Sequence, residues 1–184
     1  IAGLIHRGKS SNVGEELQHM LQALKHRGPD STGYALYANN DGQNFILRFK
    51  VGENVGEGST SVNEDESVYN ERKKFVDKKL SELGALVVKE EKLTPYSYRY
   101  EIKFDKDLMD FSKAIESIPS VEILSIGKSL ELIKDLGDAT VVSERYGLNK
   151  VQGTHGIGHA RMATESGVDI KSAHPFWGYP FADV

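Results

Sequence analysis

Cysteine is absent from the 184 residues. That absence excludes a disulfide framework, a thiolate metal site and an internal thiol nucleophile, and it fits a reducing, cytoplasmic setting. No apolar run approaches the roughly 20 residues of a membrane span, and the opening residues carry no signal-peptide pattern. Positive charge is not in excess either. The 23 Lys and Arg against 27 Asp and Glu leave a formal net charge of -4, which removes the electrostatic footprint of a nucleic-acid binder. A hydrophobic share of 39% beside 27% charged residues is that of a globular chain able to bury a core. At this length the chain forms one ordinary domain, or one domain carrying a large insertion.

What is present centres on Gly153-Thr154-His155-Gly156-Ile157-Gly158-His159-Ala160-Arg161-Met162-Ala163-Thr164-Glu165-Ser166, which runs on to Ser172-Ala173-His174-Pro175-Phe176. The first half is strand-like, with glycines where backbone or ligand must approach closely. Arg161 follows at the strand end. A guanidinium held there offers a rigid fork of donors that suits the planar carboxylate of a small ligand. Alone, it reads better as a surface arginine in a glycine-rich loop.

The whole phrase resembles the glutamine-binding segment of class II, N-terminal-nucleophile glutamine amidotransferases. There a Gly-His-x-Arg-x-(Ala/Ser)-Thr phrase precedes an Asn-Ala-(His/Gln)-Pro phrase. Met162 to Ser166 is most similar to the glutamate-synthase-related amidotransferase subunits. The resemblance implies that Arg161 binds the glutamine α-carboxylate, with Ala163 and Thr164 as further contacts. It places His174 as structural or adjacent to the contacts. Ser172 stands where the family has asparagine, so a direct polar role there is open.

Two further phrases carry the resemblance. Ile1-Ala2-Gly3-Leu4-Ile5, a short buried-strand pattern, resembles the family's opening Cys-Gly-Ile-(Val/Ala)-Gly entered two residues late. The nucleophilic cysteine is then expected two residues before Ile1. His26-Arg27-Gly28-Pro29-Asp30-Ser31-Thr32-Gly33 resembles the family's (His/Tyr)-Arg-Gly-x-(Asp/Glu)-Ser-x-Gly loop. Arg27 is implied to shape the glutamine site. Gly28, Asp30, Ser31 and Gly158 are expected to shape loops, with Gly28 and Gly33 permitting a tight turn. The plainer reading is a helix-to-strand turn in which Asp30 and Ser31 bond their own backbone. The two readings are compatible.

Elsewhere the pattern is structural. Asn12 with Glu15 predicts a helix start, and Leu17, Met20, Leu21 and Leu24 share a helical face. The helix must stop before Pro29. Phe45 to Lys50 is a strand. Gly52, Gly56, Gly58 and the Ser59-Thr60-Ser61 cluster read as a loop or linker, and Asp65 to Leu83 is a solvent-facing helix. Beyond it, Gly84 to Lys89, Tyr96 to Phe104 and Val121 to Ile126 predict strands, while Lys106 to Ile118 and Lys128 to Leu136 predict helices. This β-β-α-β-α order suggests a small α+β unit. Its expected core is Leu86, Val88, Ile102, Phe104, Phe111, Ile115, Ile123 and Ile126, and its expected role is partner docking or gating. Gly127-Lys128-Ser129 fails as a phosphate loop, because Glu122 stands where the first glycine belongs.

The expected architecture is therefore α+β. The resemblance makes it an N-terminal-nucleophile αββα sandwich, with residues 1–50 and 151–184 forming the amidotransferase domain and 51–150 an inserted α+β subdomain. The implied activity is hydrolysis of glutamine to glutamate and ammonia, without cofactor or metal, for a glutamate-synthase-like partner subunit or domain. The chemistry implied is a cysteine thiolate attacking the side-chain amide, its own α-amine serving as base, with oxyanion donors beyond Val184. The 184 residues alone are expected to recognise glutamine but not to hydrolyse it. Two alternatives stand beside this. One is a non-catalytic glutamine-binding or regulatory domain. The other is a zinc hydrolase built on His155, His159 and His174, though nothing in the spacing marks His174 as a third ligand.

Overall fold

The computed structural model describes residues 1–28, 30–40, 42–52, 65–162 and 170–178. It is α+β, with two four-stranded antiparallel sheets and four helices. In chain order the elements are β1 (Ala2–Ile5), α1 (Val13–Gln22), β2 (Ser31–Ala38), β3 (Phe45–Lys50), α2 (Glu66–Leu83), β4 (Leu86–Lys92) and β5 (Ser97–Lys103). They continue through α3 (Leu108–Glu116), β6 (Glu122–Gly127), β7 (Leu130–Leu136), α4 (Ala139–Tyr146) and β8 (Gly153–Arg161). Sheet A has the order β1-β8-β2-β7, and sheet B the order β4-β5-β3-β6.

Local chemistry sets the helix ends. Asn12 accepts from the Glu15 amide at the start of α1. Asp65, Asp107 and Asp138 accept from amides in the first turns of α2, α3 and α4, satisfying donors that a helix start leaves unpaired. Gly84 and Gly147 end α2 and α4 in the left-handed conformation. In α1 the buried row is Val13, Leu17 and Leu21, whereas Met20, expected on that face, is exposed. Among the described residues, no helix is long and apolar enough to cross a membrane.

Each sheet buries one face against its own helices. Val13, Leu17 and Leu21 of α1 and Val142 and Tyr146 of α4 pack on Tyr34, Leu36 and Ile133 of sheet A. Val76 and Leu80 of α2 and Phe111 and Ile115 of α3 pack on Leu47, Phe49, Tyr98, Tyr100 and Ile102 of sheet B.

The stretch 51–150 is shared between the two sheets. Its β4, β5 and β6 build sheet B around β3, while its β7 pairs with β2 in sheet A, and α4 joins the α1 core. The predicted helix over 128–136 is a hairpin turn and strand β7. Its apolar residues Leu130, Leu132, Ile133 and Leu136 mimic helical spacing, because polar residues between them are also buried. Glu131 accepts from Arg48 at 2.7 Å and from Arg99 at 2.8 and 2.9 Å. Asp135 accepts from the Tyr96 and Tyr146 hydroxyls at 2.9 and 2.8 Å. Burial alone would raise the Glu131 carboxyl, but the Arg48 and Arg99 charges outweigh it and hold the group at about 2.

The expected core of that stretch holds for Ile102, Phe111, Ile115, Ile123 and Ile126, with Phe104 partly buried against them. It fails for Leu86 and Val88, which are 60% and 49% exposed. They lie on the edge strand β4, where the register shifts between Val87 and Lys89, and Val87 is the residue that turns inward.

Candidate functional site

Strand β8 fixes which side chains meet. On one face a Cβ added to Gly158 would lie 2.6 Å from Leu21 Cδ1, and one on Gly156 3.0 Å from Leu36 Cδ2. These glycines let α1 lie close to the sheet. Gly158 is therefore a packing residue inside a strand, not a loop shaper. By alternation, His155, Ile157, His159 and Arg161 face the other side.

The predicted loop after α1 meets the end of β8 from the opposite edge. A Cβ on Gly28 would fall 2.6 Å from the Ala160 carbonyl oxygen, and Gly28 is extended with φ 178°. Close approach, not turn conformation, demands glycine there. The Asp30 amide donates to the Arg161 carbonyl at 3.1 Å, and the Asp30 carbonyl accepts from Gly137, so Asp30 serves the backbone. Ser31 pairs in register with Arg161. Its hydroxyl is buried with no partner among the described residues. Gly33 lies within β2, not in a turn. A Cβ there would stand 2.0 Å from the His174 carbonyl oxygen, so residues 173–175 rest on the sheet at that point.

Arg161 and the segment 170–178 are joined directly. Arg161 Nη1 donates to Ser172 Oγ at 2.5 Å, giving the serine that stands in the asparagine position a polar role after all. His174, whose peptide to Pro175 is cis, places its ring between His159, at 5.0 Å, and Phe176, at 4.7 Å. Burial, helped by the neighbouring His174 and Arg161, lowers the His159 pKa and favours the neutral ring. Its Nδ1 is buried without a partner among the described residues. Two orphaned polar atoms, Ser31 Oγ and His159 Nδ1, thus lie on the Arg161 face of sheet A.

Ala163, Thr164 and the Arg27 side chain lie outside the described residues. His155 is turned to other work: its ring stacks on Tyr37 at 4.0 Å and its Nδ1 meets Thr154 Oγ1. Among the described residues, no group of three His, Asp or Glu side chains gathers as a metal site. Motif reading did not single out Gly33 as a packing shelf, Ser172 as the partner of Arg161, or Lys134, whose Nζ donates to the Lys171 carbonyl at 3.3 Å. Each acts across the fold, and only the place of Ser172 at the asparagine position of the motif hinted at any of them.

No family model matches the chain. The chain is 33% identical over 189 residues to the "Putative glutamine amidotransferase" of Methanothermobacter thermautotrophicus, covering 100% of this chain and 58% of that protein. It is 30% identical over 164 residues to the glutamine amidotransferase-like protein GlxB of Rhizobium meliloti, covering 89% of this chain and 49% of that one. A shorter similarity, 36% over 56 residues, covers 30% of this chain and 9% of the glutamine–fructose-6-phosphate aminotransferase of Pyrobaculum aerophilum. The chain thus spans about half the length of the first two of these relatives, at 58% and 49%. Over that length, its similarity is to proteins named as glutamine amidotransferases or as like them.

Proposed function

We propose that this chain is the glutamine-hydrolysing part of a class II glutamine amidotransferase, built on an N-terminal-nucleophile αββα sandwich. Outer helices on each sheet, and sheets that meet along β3 and β7, support the sandwich reading.

The observation that carries the function is the register of β1 against β8. Ala2 faces Gly158 and Gly3 faces Ile157, so each step back along β1 is one step forward along β8. Continued past Ile1, that ladder would set the residue two before Ile1 opposite Arg161. By strand alternation its side chain would lie on the face that carries His159 and Arg161. A cysteine there attacks the glutamine amide carbon while Arg161 holds the α-carboxylate. The amide nitrogen leaves as ammonia once protonated, and water then releases glutamate from the thioester. Ala163 and Thr164 add contacts to glutamine and Arg27 closes the site, as the motif resemblance implies. The ammonia passes to a synthase subunit or domain related to glutamate synthase.

The test is glutamine-dependent release of glutamate by the intact protein, compared with Arg161→Ala. Release that depends on Arg161 supports the reading. Glutamine binding without release marks a sensing domain instead.

A further inference from the structure

We propose that Lys134 is a positioning residue for glutamine binding, holding the segment 170–178 in place so that Ser172 can orient Arg161. This rests on the glutaminase reading above.

Lys134 is only 3% exposed, which is costly for an ammonium unless it is paired and hydrogen-bonded. It lies on β7 directly across from Gly33, on the face where the His174 carbonyl rests. Its ammonium meets three groups, two of them in that segment. Nζ donates to the Lys171 carbonyl at 3.3 Å and sits 4.8 Å from the centre of the Phe176 ring. Glu122 at the start of β6 supplies the counter-charge at 3.1 Å.

The strand is itself tied to sheet B, since buried Lys50 donates to the Lys134 carbonyl at 2.7 Å. The segment is thus gripped at residues 171 and 176, on both sides of the Gly33 contact. Ser172, the partner of Arg161, lies inside that grip. A salt bridge serving stability alone needs only Glu122. Bonds to a segment that is otherwise without helix or strand fix where that segment lies.

The chain carries a built-in reporter. Trp177 is the single tryptophan of these 184 residues, so it reports alone once any tryptophan elsewhere in the intact protein is changed to phenylalanine, and it packs partly buried against the sheet B core. In the intact protein, Lys134→Met is expected to raise the glutamine KM about tenfold with kcat within about twofold. Iodide quenching of Trp177 should increase at the same time. Lys134→Arg should recover part of both, and Glu122→Gln should move both the same way by less.

Unchanged KM and unchanged Trp177 quenching in soluble Lys134→Met overturn the proposal. So does a fall in melting temperature with neither of the other changes, which is a purely structural role. If Lys134→Met does not fold, Glu122→Gln decides on the same two readouts. If the wild-type protein neither binds nor hydrolyses glutamine, the functional reading fails by itself. Trp177 quenching then still decides whether Lys134 seats the segment.

Discussion

Gly33 lies under the carbonyl of His174: a Cβ built on the glycine would stand 2.0 Å from that oxygen and 2.8 Å from Pro175 Cδ. The nearest obstacle is backbone, so it cannot be relieved by a side-chain rotation. Gly33→Ala must lift residues 173–175 off the sheet, at a cost of about 1–3 kcal/mol by the general scale of overpacking. Chemical denaturation measures the loss. A larger loss in glutamine affinity than in stability is expected, because Ser172 moves with the segment.

Arg161→Lys replaces a planar fork with a point charge that cannot both keep Ser172 and grip a carboxylate. Loss of a charge-assisted contact should cost about 1.5–3 kcal/mol, read as a fall in kcat/KM for glutamine. Near-normal kinetics in that variant remove Arg161 from the site.

The contact between the sheets should reveal itself in acid. Glu131 is held at about 2, below its usual 4.5, by Arg48 and Arg99. A depressed carboxylate contributes stability that is present above the unfolded value, and that contribution is lost as pH falls through the folded value. Glu131→Gln leaves two buried guanidiniums without their shared counter-charge, so it should destabilise by about 3–5 kcal/mol near neutral pH. The gap to wild type should narrow as pH falls from 4.5 towards 2. A gap that stays constant over that window would falsify the assignment of the charge.

Edge and core positions of sheet B should separate cleanly. Leu86 is 60% exposed on β4, and Ile102 is fully buried on the neighbouring strand. Leu86→Lys is expected to change stability by no more than about 0.5 kcal/mol. Ile102→Ala should cost about 2–5 kcal/mol. Equal costs would contradict the edge placement.

These contrasts show how far the sequence could be read. Elements that bury one face, such as α1 and β5, announce themselves through spacing, and Arg161 stands out because the residues around it form a phrase. Strand β7 does not announce itself. Glu131, Lys134 and Asp135 are buried with partners contributed by β3, β5, β6 and α4, so its polar positions imitate the outer face of a helix. The same long-range pairing hid Lys134 from a motif-based reading. Ser172 was visible only as a departure from the asparagine of the motif, and its bond to Arg161 depends on how 170–178 folds back over Gly33. The exposed Leu86 and Val88 mislead for a local reason: the register shift beside them reverses which neighbour points inward.

The most direct measurement of the central claim is mass spectrometry of the intact protein reacted with glutamine or a glutamine-like electrophile, alongside assay of released glutamate and ammonia. The account predicts glutamate release and a covalent glutamyl-type adduct on a cysteine two residues before Ile1, both abolished when that cysteine becomes alanine. Glutamine hydrolysis that persists without it, or a different residue at that position together with no hydrolysis, contradicts the account.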